Sequence, residues 1–154
     1  MRCVRADGSM TWQKQESRHA AFFALHDLTH FAVESVLGFR RGFFGLVAEG
    51  WEIEDTAGKR ARGQLPDEAK AIEYIVGCLD NERASGASWS AEDFNEQAAI
   101  HAASAGLPAP RRLTDEELAR VRATRDDLLA EWRAIQPEQT LELQFDVQVF
   151  PAML

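Results

Sequence analysis

Residues 24–38, ALHDLTHFAVESVLG, set two histidines on the face of a helix that has to be buried, and this restricts what can pack against it. At about 100° per residue, Phe22, Val33 and Leu37 project within roughly 40° of His26, and His30 lies at the same limit. A neutral imidazole in an apolar interface needs a partner for each ring nitrogen, one donating and one accepting. Two such rings one turn apart double the requirement. One divalent ion meets it for both, because side chains at i and i+4 are neighbours whose nitrogens can converge on a single centre. His26 and His30 are therefore expected to be metal ligands. The alternative is a non-enzymatic structural or interaction domain whose histidines are hydrogen-bonded core residues, satisfied by Glu34 or other polar groups. His19, on the same stripe, is open to that structural reading.

Glu34 faces His30 on the wheel, since its side chain tilts back toward the helix N-terminus. The rise from His26 to Glu34 is about 12 Å, a long reach for three residues on one ion. Glu34 is thus either a metal ligand in a distorted site or the carboxylate that orients His30. A single helix supplies few ligands, so further donors are sought elsewhere: Glu49 and Glu52 in LVAEGWEIED, Glu73 in AIEYIVGCL, and His101 in QAAIHAASAG, which reads as a third imidazole or a plain core histidine.

The pentapeptide H-D-L-T-H resembles the zincin signature H-E-x-x-H, in which both histidines bind zinc and the intervening acid activates water. Asp27 stands where that signature has glutamate, and its shorter arm draws the carboxylate away from a metal-bound water. The glycine and third histidine of the metzincin extension are replaced by Val33 and Val36. The longer string HDLTHFAVE followed by GFFGLVAEGW is similar to small uncharacterised bacterial proteins, a resemblance that implies no activity.

These residues define the functional expectation: a metal-binding protein, with a small metal-dependent hydrolase as its catalytic form. Asp27, Glu34 and Glu49 are the candidate bases. Nitrogen and oxygen donors suit zinc first, with nickel, iron and manganese undistinguished. A small-molecule ligand and a homodimer are compatible with this reading. The net charge of −8 disfavours nucleic acid and anionic membranes as partners, because the overall field repels both. No apolar run approaches the roughly 20 residues of a membrane span, and MRCVRADGSM lacks the apolar core of a signal peptide, so a cytoplasmic location is expected. Cys3 and Cys78 lack C-x-x-C spacing and read as reduced thiols. No nucleophile elbow or phosphate loop is present, and the tryptophans are scattered.

The rest of the chain predicts a single α+β domain over 1–154, mainly helical, with a small antiparallel sheet. Asp7-Gly8 marks an N-terminal hairpin. TLELQFDVQVF alternates, with Leu141, Leu143, Phe145, Val147 and Val149 on one face, and reads as a C-terminal strand completing a three-stranded sheet. Four long helices are expected: from about Ser17 to Leu37, from Pro66 at its first position to about Arg83, from a Ser90 cap to Gly106, and from a Thr114–Glu117 capping box to Pro137. The last is expected to fold back on the sheet. Glycines at 38, 42, 45 and 50 flank a short helix and suggest close backbone contacts. The polar segment around GKRARGQL is expected to be exposed.

Overall fold

In the computed structural model, residues 1–16, 18–56 and 63–146 are described. Two short strands, β1 (Arg2–Val4) and β2 (Met10–Trp12), pair antiparallel with Arg2 opposite Trp12 and Val4 opposite Met10. Gly8, at φ 82°, closes the turn, as the Asp-Gly pair predicts. Among the described residues six helices follow: α1 (Ala20–Leu37), α2 (Phe43–Ala48), α3 (Ile53–Thr56), α4 (Asp67–Ser85), α5 (Ala91–Ser104) and α6 (Asp115–Ala134). The protein is thus mainly helical with a small antiparallel sheet.

The ends of these helices follow from local chemistry. Gly38 adopts the left-handed conformation at φ 68° and its N–H donates to the Glu34 carbonyl, which stops α1. The Ser90 hydroxyl accepts from Asp93 N–H to open α5, and Thr114 with Glu117 forms a complete capping box on α6. Pro66 stands one place earlier than expected: with ψ at 149° it is the cap of α4, and Asp67 is the first helical residue. The expected start of α1 at Ser17 and most of the GKRARGQL segment lie outside the described residues.

Helix α1 is central. It packs on α6, α4 and α2, while α5 packs on α4. The main core joins Val33 of α1 to Ile72, Val76 and Leu79 of α4, Phe94 of α5, and Leu118 and Val121 of α6. A second cluster sets Leu28 and Phe31 against Leu128 and Leu129 of α6. Helix α6 therefore folds back on α1, not on the sheet, because its apolar stripe is long enough to match a helix and the hairpin is not.

Among the described residues the sheet has two strands, and residues 140–146 carry no strand pairing. Leu141 and Phe145 instead pack on the second cluster, with the Phe145 ring 5.6 Å from Phe44 and 6.0 Å from Phe31. Val147 and Val149 lie outside the described residues. These two side chains of the expected apolar face have found partners among the helices, whereas Leu143 between them is exposed. Arg5 ties the hairpin down: its guanidinium donates to the carbonyls of Val47 (2.7 Å) and Trp51 (2.6 Å), near the end of α2.

Candidate metal centre

Helices α1 and α4 run antiparallel, so that His26 meets Asp80 and His30 meets Glu73. His26 Nδ1 lies 2.7 Å from Asp80 Oδ2, and His30 Nδ1 lies 3.3 Å from Glu34 Oε1. The opposite edges of the two rings share one neighbour. His30 Nε2 is 3.3 Å from one carboxylate oxygen of Glu73, and His26 Nε2 is 4.0 Å from the other. The rings lie 4.8 Å apart, inclined at 78°. One ligand atom from each of His26, His30 and Glu73 falls within 4.8 Å of the others.

Each acid on an Nδ1 edge is itself held. Asp80 also accepts from Thr29 Oγ1 (3.4 Å) and from Arg83 (3.3 Å). Glu34, fully buried, accepts from the N–H groups of Phe43 (2.8 Å), Phe44 (2.9 Å) and Gly45 (3.3 Å), the first turn of α2. Gly42 is required there, since a Cβ at that position would stand 2.3 Å from the Glu34 carboxyl carbon. These acceptors favour a proton on Nδ1 of each ring, so that in the neutral imidazole Nε2 is the edge that offers a lone pair.

The electrostatics follow the same pairing. Burial works against charge on His30, yet the hydrogen bonds to Glu34 and Glu73 outweigh it and lift its pKa to about 9. Burial likewise raises the carboxyl of Glu73, but His30 and His26 hold it below its ordinary value. For Asp80 too, the bond to His26 and the charges of His26 and Arg83 overcome burial and lower the pKa. Asp27, half-buried beside the histidines, is pushed up by burial against the opposing pull of His26 and His30.

The cluster has a wet side and a dry side. His30 is buried, whereas the Glu73 side chain is 54% exposed and that of His26 is 23% exposed. Phe22 stacks on His26 with ring centres 5.6 Å apart, and Phe43 stands 6.1 Å from His30. Tetrahedral donors at about 2.1 Å from an ion are roughly 3.4 Å apart. The widest of the three separations, up to 4.8 Å, would have to contract by about 1.4 Å to reach that spacing.

Of the other residues singled out in sequence, Glu73 joins the two histidines and the rest do not. Glu49 pairs with Arg41 at 3.2 Å, and Glu52 with Arg5 at 3.2 Å. Both acids also line a concavity of about 520 Å³ beneath the hairpin, in which no histidine takes part. His101 is exposed on α5, so it is neither a core histidine nor part of the cluster, and His19 is exposed just ahead of α1, where it accepts from Arg18. Both cysteines are free, and burial pushes the Cys78 thiol up to about 11.

Asp80 is the residue that sequence reasoning missed. Its signal is the seven-residue spacing from Glu73, which puts two acids on one face of α4. No family model, no curated protein and no solved structure matches this chain.

Proposed function

We propose that the protein binds one divalent transition-metal ion through His26 Nε2, His30 Nε2 and the Glu73 carboxylate, with Asp80 and Glu34 orienting the two rings. The observation that carries this reading is the doubled carboxylate–histidine arrangement: both Nδ1 edges face a held acid, and both Nε2 edges face the same third acid. Glu34 belongs among the orienting groups because its oxygens are engaged by α2 and His30. Two imidazoles and a carboxylate suit zinc, and also iron, manganese or nickel.

Three protein donors with an exposed edge leave room for an exogenous ligand, which is what a small hydrolase needs. Such an ion would polarise a substrate carbonyl or phosphoryl group and acidify its water. Asp27, half-buried on the same helix and within reach of the charges of His26, His30 and Glu73, is the candidate group for exchanging a proton there. Zinc is the first choice of metal, and a small molecule the corresponding substrate.

A second reading has its own support. With its pKa raised to about 9, His30 can hold a proton between Glu34 and Glu73 and serve as a purely structural cation. Elemental analysis of tag-free protein, with zinc titration by calorimetry, separates the two. One ion per chain, lost in His26→Ala and in Glu73→Gln, supports the metal centre. Protein that takes up no zinc, nickel, iron or manganese leaves the structural imidazolium as the account of this cluster.

A further inference from the structure

Glu34 joins two parts of the chain that the sequence keeps apart. Its one buried carboxylate serves the ring of His30 and three consecutive amides of α2. Oε1 is shared between His30 Nδ1, at 3.3 Å, and Phe43 N–H, at 2.8 Å. An acid with so many donors and no access to water has no substitute partner, so a change in one of these bonds is felt by the others.

We propose that Glu34 is a positioning residue that couples occupancy of the His26–His30–Glu73 centre to the order of α2. This rests on the metal-binding reading given above. Coordination at Nε2 draws electron density from the imidazole and makes its Nδ1–H a stronger donor. The bond to Oε1 tightens, the carboxylate is fixed in place, and the amides of Phe43, Phe44 and Gly45 are held with it. The converse also operates: docked α2 fixes Glu34, and Glu34 keeps the His30 ring turned so that Nε2 points to Glu73. Such coupling is reciprocal by linkage. Through Arg5, which grips the carbonyls of Val47 and Trp51, the effect extends to the N-terminal hairpin. The state of the ion is thereby reported at the hairpin.

The test uses the full chain and zinc alone, with affinity read by calorimetry and amide exchange read residue by residue by NMR. Zinc is expected to slow exchange at Phe43, Phe44 and Gly45 about tenfold relative to amides of α5. Gly42→Ala touches none of the three donors, yet it drives a methyl group into Glu34 and is expected to weaken zinc binding about 10–100-fold. Where Gly42→Ala does not fold by circular dichroism, Glu34→Gln, which keeps the shape of the side chain, is expected to show the same direction of loss. Unchanged exchange at residues 43–45 in zinc-loaded protein, or wild-type affinity in folded Glu34→Gln, overturns the coupling and leaves the metal centre standing. Failure of the wild type to bind zinc removes both.

Discussion

In the metal-free protein His30 sits between two carboxylates, and the proton it carries there links stability to pH. Its pKa in the folded chain, about 9, lies above the ordinary 6.5. The stabilisation is therefore complete below about pH 6.5 and is lost as the pH rises through about 9. In EDTA, the urea midpoint of the wild type is expected to fall across that window, and His30→Gln to lack the fall. A wild-type midpoint that stays level would show the ring to be neutral. Glycines give a contrast at the same scale. A Cβ at Gly45 would stand 1.8 Å from the Arg40 carbonyl oxygen, which is fixed backbone, so Gly45→Ala is expected to cost about 1–3 kcal/mol or more. Gly77 lies inside α4 with nothing within 4 Å of an added Cβ. Gly77→Ala is expected to stabilise by about 0.5–1 kcal/mol in the same urea titration.

Helix ends are where local sequence and structure agree most closely, because their chemistry is local: the Thr114–Glu117 box, the Ser90 cap and Gly38 each act within four residues of the end they set. The connector before α6 depends instead on a distant partner. Asn95 of α5 pairs its side-chain amide with both backbone groups of Leu113, at 2.8 Å each, in a buried setting. Asn95→Ala is expected to cost about 1–3 kcal/mol by leaving those groups without partners, and near-wild-type stability would show that water replaces the amide. The same distinction explains the site. His26 and His30 are legible because a helix repeat alone puts them on one apolar stripe. Glu73 is visible in sequence only as an acid among the apolar residues of AIEYIVGCL, and the role of Asp80 appears once α4 lies antiparallel on α1. The 140–146 segment shows the opposite limit: its alternation marks a side to be covered, and Leu141 and Phe145 are covered, but alternation does not say by what. Nor does the apolar stripe of α6 name α1 as its partner.

For the molecule as a whole, the proposed ion is a ligand of the native state alone, and it should stabilise by mass action. Free zinc at a hundredfold excess over its dissociation constant is expected to add about 2.7 kcal/mol to the unfolding free energy. Glu73→Gln should lose that increment, and an equal gain in the variant would place the ion elsewhere. Among the described residues no helix is long and apolar enough to cross a membrane. The antiparallel lie of α1 and α4 carries a kinetic meaning as well. If His26, His30 and Glu73 hold an ion as proposed, an unassembled chain would own only a two-toothed chelate on α1, and the third tooth would arrive when a segment more than forty residues downstream has come home. Zinc capture during refolding, timed against tryptophan fluorescence, would thus clock the moment these two helices meet.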